Sequence, residues 1–210
     1  MLHVACCLWD KNDKSQPFSQ MYDESWAEKL YRGFKRNLTV PFRFVCFTDR
    51  EREFAEPVAQ ERLETQAPDY GCLIEPFKLD EPTIICGLDT VVVANVDHMA
   101  SYCMTASRIA LPGHPTNKRK FGFINPVVFV PKGWRSLFDQ WRGENDMEYL
   151  NQQPGLADAN LLWPGQILSL KLQVVPQGPV PPPAARIIYF HGRLKPHELG
   201  HVGWINQHWR

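Results

Sequence analysis

The chain has 210 residues, 44% of them hydrophobic, which is enough for one well-buried core and leaves little room for a second full domain. Its 23 basic and 23 acidic residues sum to a net charge of +0, and no run of like charge marks a phosphate-tracking face, so a nucleic-acid partner finds no support in charge. Six cysteines without CxxC spacing read as buried reduced thiols, MLHVACCLWDKND carries no signal-like leader, and no apolar run nears the roughly 20 residues of a membrane span; the expectation is one cytoplasmic domain over residues 1–210.

HVACCLW (3–9) is a continuous apolar run of the kind that forms a buried parallel strand. Tyr22, Trp26, Leu30, Phe34 and Leu38 then recur every four residues, with Asp23 and Glu24 in the first turn and Arg32, Lys35 and Arg36 towards the end, which predicts a helix over 22–37. FRFVCFTD (42–49) is a second buried strand, and strand, helix, strand implies a right-handed parallel crossover. Ligands in such sheets bind beyond the carboxyl ends of the strands, which puts Trp9, Asp10, Thr48 and Asp49 at one rim. PTIICG (82–87) is a third core strand, running into LDTVVVANVD, and FGFINPVVFVPKG (121–133) contains another. The stretch 134–163 reads as mainly helical, LQVV (172–175) as a short strand, GPVPPPAA (178–185) as a stiff connection, and 186–190 as a last strand.

Two strand ends carry residues with chemistry. Asp89, just after the third core strand, suits a divalent cation that neutralises a diphosphate; it equally suits a turn aspartate bonding its own backbone. His191 follows the last strand, and Gly192, Arg193 and Lys195 place a close-approach backbone and two cations beside it, as a pyrophosphate requires; a solvated basic turn has the same composition.

FHGRLKPHE resembles the carboxyl-terminal HxxGxxKP-type signature of retaining nucleotide-sugar glycosyltransferases, the glycogenin and lipopolysaccharide-galactosyltransferase group, and small bacterial and phage relatives ending in FHGxPKPHE. Five further segments precede it in the family's order: VPFRFVCFTD is similar to their second strand, LDTVVV to the end of their DxD segment, GFINPVVFVPKG to their G-x-N-S-x-V-x-V strand, NDMEYL to their DQxYL and WPGQILSLK to their WPxxxxSYK. The resemblance covers almost the whole chain. It implies a GT-A fold, a Rossmann-like mixed sheet flanked by helices, with a UDP-sugar or other nucleotide-sugar donor, an unknown acceptor, and Mn²⁺ or Mg²⁺ at the diphosphate. By position, it implies Asp89 and His191 as metal ligands and Lys195, with Gly192 and Arg193, on the diphosphate. Asp49, Thr48 and the Trp9–Asp10 edge would meet nucleobase and ribose, and Asn125 and Asp146 the sugar. Lys195, read as exposed, is expected to matter for binding and not for folding.

The chain also departs from that pattern. Gly87 stands where the first DxD carboxylate belongs, Met147 follows Asp146 where glutamine is usual, SYK has become Ser169, Leu170 and Lys171, and the basic residue usual before the DxD strand is absent from GCLIEPF. These departures motivate a second reading, a nucleotide-sugar-binding protein without turnover. A third, a zinc hydrolase on His191, His197, His201 and Asp89, is disfavoured because the six-residue spacing across Pro196 is not the i, i+4 pair of a helical zinc site.

Overall fold

Leu2–Leu8 (β1) is buried along its whole length, and its alternate side chains serve two cores: Leu2, Val4, Cys6 and Leu8 face one side of the sheet, Ala5 and Cys7 the other. The structure, a computed structural model, describes residues 1–15 and 17–210. Helix Glu24–Asn37 (α1) follows, capped by Asp23, whose carboxylate accepts a hydrogen bond from Ser25 N at 3.0 Å. It starts two residues after the predicted boundary because Asp23 serves as the cap, outside the first turn. Trp26, Leu30 and Phe34 form its buried face. Strand Phe42–Thr48 (β2) then lies parallel to β1 in register from Leu2 against Phe42 to Leu8 against Thr48, which is the expected crossover.

The remaining elements are Ala59–Arg62 (β3), Thr83–Cys86 (β4), Thr90–Val92 (β5), Asp97–Thr105 (α2), Ala110–Leu111 (β6), Lys118–Phe121 (α3), Val127–Val130 (β7), Ser136–Gln140 (α4), Asp146–Asn151 (α5), Ala157–Asp158 (β8), Ala159–Leu162 (α6), Ile167–Ser169 (β9), Ile187–Tyr189 (β10) and Gly203–His208 (α7). A seven-stranded sheet has the order β3-β2-β1-β4-β7-β6-β8, with β7 antiparallel to β4, and a three-stranded sheet has the order β5-β10-β9. The mixed sheet agrees with the expected class. Helices α1 and α2 and the small sheet share one core, and the opposite face is covered by α4, α5 and the 3₁₀ segment Tyr70–Leu79. Among the described residues no helix is long and apolar enough to cross a membrane.

Two expectations are corrected. The stretch 134–163 holds only the short helices α4, α5 and α6, interrupted by Gly143 at φ +95° and Gly155 at φ +75°. LQVV is no strand: Leu170–Val174 is a π-helical turn followed by the 3₁₀ turn Val175–Gln177, because the Ser169 hydroxyl caps Leu172 N at 3.2 Å and burial falls on Leu170 and Val174, four apart. A four-residue apolar run carries no periodicity that distinguishes the two.

The carboxyl-terminal segment folds back on α1. Trp209 packs edge-on against Trp26 at a centroid distance of 5.0 Å, Lys29 Nζ lies 3.7 Å above the Trp209 ring, and Trp26 in turn meets His197 at 5.2 Å.

Candidate active site

The carboxyl ends of β1 and β4 and the end of β10 converge on a cavity of about 400 Å³ whose walls include Trp9, Tyr70, Asp89, Asn125, His191 and Lys195. Gly87 N donates to the Pro126 carbonyl at 3.0 Å and Thr90 N to the Gly87 carbonyl at 3.1 Å, which shapes the turn that presents Asp89. Phe190 N donates to the Asp89 carbonyl at 3.3 Å, so the turn bearing Asp89 and the end of β10 bearing His191 are backbone neighbours.

Lys195 is only 3% exposed, which corrects its reading as an exposed lysine. Its ammonium forms an ion pair with Asp89 Oδ2, the oxygen that also accepts from the Tyr22 hydroxyl at 3.3 Å. The Lys195 backbone is pinned as well, since its N–H donates to Glu198 Oε2 at 2.9 Å at the head of the 3₁₀ turn Pro196–Leu199. Pro196 at the turn's first position favours that geometry. His191 Nε2 shares a 2.8 Å hydrogen bond with Ser169 Oγ, and burial, then the Lys171 and Lys195 cations, lower its pKa and favour the neutral imidazole.

Asn125 reaches the cavity and Asp146 does not. Asp146, 3% exposed, stands behind it and accepts from Asn125 Nδ2 at 2.5 Å and, through its other oxygen, from Met147 N at 2.8 Å. Burial pushes its carboxyl up to about 6 against the opposing effect of these hydrogen bonds. Met147, next in the chain, lines the cavity in its place.

Asp10, Thr48 and Asp49 belong to a separate network at the same sheet edge. Arg52, 4% exposed, donates to Thr48 Oγ1 at 2.6 Å, to Asp10 Oδ1 and Asp49 Oδ1 at 2.8 Å each, and to Glu24 Oε1 at 3.0 Å. Hydrogen bonds from Arg50 and Arg52 hold the Asp10 carboxyl below its ordinary value. None of these three predicted residues lines the cavity, and neither do Gly192 and Arg193, which lie in the exposed turn after His191 with Gly192 at φ +76°. Tyr22, Tyr70 and Arg52 had no signal in the sequence: Tyr22 read as a helix-face residue, and Arg52 is one charge in a charged string.

The residues present do not fit the expected divalent cation. Asp89 Oδ2 is already held by Lys195 and Tyr22, Gly87 supplies no second carboxylate, and the Nε2 of His191 is engaged with Ser169. Among the described residues no group of three or more His, Cys, Asp or Glu could hold a metal ion. The zinc alternative fails on the same ground, and its His197 packs against Trp26.

No family model and no curated protein matches the chain. Among solved structures it is similar to the galactosyltransferase LgtC in complex with donor and acceptor sugar analogues, with a TM-score of 0.57 at 10% identity over 99% of this chain and 96% of that one. It is also similar to the glycosyltransferase GlyE of Streptococcus pneumoniae TIGR4 (TM-score 0.59, 11% identity, 92% of this chain and 55% of that one). The bifunctional glycosyltransferase WbbM matches at TM-score 0.59 and 9% identity over 93% of this chain and 46% of that one. These likenesses show that the chain has the GT-A glycosyltransferase fold.

Proposed function

We propose that the chain transfers a sugar from a nucleotide-diphosphate sugar, a UDP-sugar in the first instance, to an acceptor, with retention at the sugar carbon, and that residues 1–210 act as one domain. The observation that carries this reading is the cavity at the strand ends, where a buried ammonium, that of Lys195, shares walls with aromatic rings and with an amide held from behind by a buried carboxylate. Departure of a nucleoside diphosphate builds negative charge on the leaving oxygen, and a preorganised cation in a water-poor cavity stabilises that charge. Trp9 and Tyr70, whose rings meet at 6.0 Å, offer flat apolar surface to a base, and Asn125, positioned by Asp146, offers a polar contact to sugar hydroxyls. The one-domain reading is supported by the larger of the two buried clusters, which runs from Leu2 to Trp209. Cytoplasmic residence is supported by six free, buried cysteines.

Gly87 favours a second reading, a protein that binds the nucleotide sugar and does not turn it over. Incubation with UDP-sugars and analysis of released UDP distinguishes the two: release is expected from a transferase, and binding with none is expected from the second. Binding itself is checked by melting. A UDP-sugar at a hundredfold excess over its Kd stabilises the folded state by about 2.7 kcal/mol, a rise of roughly 5 to 10 °C for a chain of this size. No rise with any nucleotide sugar overturns both readings.

A further inference from the structure

We infer that Lys195, anchored on Asp89, takes the place of a divalent cation, so that this site binds its nucleoside diphosphate without Mn²⁺ or Mg²⁺. The inference rests on the proposed nucleotide-sugar site and goes beyond it by naming the charge that holds the diphosphate.

The argument begins with charge. A site with two carboxylates and one divalent cation is neutral before its substrate arrives; a site with one carboxylate and one ammonium is neutral too. Here position 87 is a glycine and offers no carboxylate, and the Lys195 ammonium sits on Asp89. A Cβ on Gly87 would lie 3.2 Å from Asp89 Oδ1, so a side chain at position 87 would meet Asp89 directly; the missing carboxylate and the lysine therefore concern the same few ångströms.

The second step concerns displacement. A metal entering on Asp89 has to break a buried ion pair and set aside the Tyr22 hydrogen bond, with one imidazole, itself bonded to Ser169, as its other protein ligand. Hard cations take six or more oxygen ligands and depend on ligand charge, so the exchange is unfavourable. Lys195 needs no such exchange, because Glu198 fixes its backbone and burial holds its side chain at the cavity wall. Preorganisation of that kind lowers the cost of binding an anion.

Calorimetric titration with UDP, and with GDP and ADP in parallel, tests this on the intact chain in excess EDTA and again in millimolar Mn²⁺. The wild type is expected to bind with Kd values within threefold of one another in the two buffers. Lys195→Ala is expected to lose roughly ten- to hundredfold in EDTA, the effect of removing one charge-assisted contact, and to regain much of it with Mn²⁺, since Asp89 is then released for the ion. Gly87→Asp leaves Lys195 in place and keeps the test independent of that variant's folding: it is expected to make UDP binding respond to Mn²⁺. A wild type that loses tenfold or more in EDTA overturns the inference and leaves the proposed function standing. No binding of any nucleotide in either buffer overturns both.

Discussion

At the scale of single residues, Asp146 is a buried carboxyl whose protonation is coupled to folding. Its native value, about 6, lies above the ordinary 3.8, so between those two values the native state holds a proton that the unfolded state has lost. The contribution of this residue to stability is therefore full below 3.8, falls as pH rises towards 6, and is gone above it. Comparison of wild type with Asp146→Asn isolates that effect: the stability difference is expected to shift in favour of wild type by about 1 kcal/mol between pH 8 and pH 5, or roughly 2 to 4 °C in melting temperature. A pH-independent difference sinks the assignment. Asp89, Asn125, His191 and Lys195 were legible from motif order, whereas the Asp89–Lys195 pairing was not, because the two lie 106 positions apart and a charged residue in a basic string looks solvated until the fold buries it. The same holds for Arg52, whose four acceptors come from three separate segments.

At the scale of elements, the segment between α3 and β7 decides where Asn125 points. Gly122 has φ +70° and ψ −148°, a conformation open to glycine, and a Cβ there would meet Asn151 Oδ1 at 2.3 Å. Asn151 is in turn bonded to Phe123 N at 2.8 Å and to the Phe123 carbonyl at 2.9 Å, so α5 and the Asn125 segment are stitched together at this point. Gly122→Ala is expected to cost about 1 to 3 kcal/mol and to weaken sugar-nucleotide binding more than UDP binding, measured by melting and calorimetry. The cap of α1 gives a plainer expectation: Asp23→Ala costs about 1 kcal/mol, read as a fall of roughly 2 to 4 °C, with UDP affinity unchanged. Strands β1 and β2 and helix α1 were legible because each carries a long apolar run or a sustained period, and the shorter β4 and β10 because TIIC and IIY are apolar or β-branched throughout. Strands β3, β6 and β8 have four residues or fewer and take their state from a neighbour's edge, which no local pattern records.

At the scale of the whole molecule, the return of the carboxyl-terminal segment onto α1 joins the start of the chain to its end. Arg32 Nε donates to the Arg210 carbonyl at 2.8 Å and Arg36 Nη2 to the His208 carbonyl at 2.5 Å, around the Trp209 ring. Trp209→Ala is expected to lower stability by about 3 kcal/mol, roughly 6 to 12 °C, through lost packing. Trp209→Phe is expected to lose less than half of that, since it keeps an aromatic ring and deletes a buried indole N–H that has no hydrogen-bond partner among the described residues. Equal losses in the two variants would mean that the ring packing contributes little. The separation of Asp89 from Lys195 also has a consequence in time. At a synthesis rate of about 5 to 20 residues per second, the lysine leaves the ribosome roughly 5 to 20 seconds after the aspartate it neutralises. The strands β1, β2 and β4 are complete by then, so the sheet is free to assemble while Asp89 still lacks the ammonium that neutralises it. On the proposed reading a nascent chain held at residue 190 is expected to be blind to UDP, because Lys195, the cation proposed to hold the diphosphate, has not yet been made.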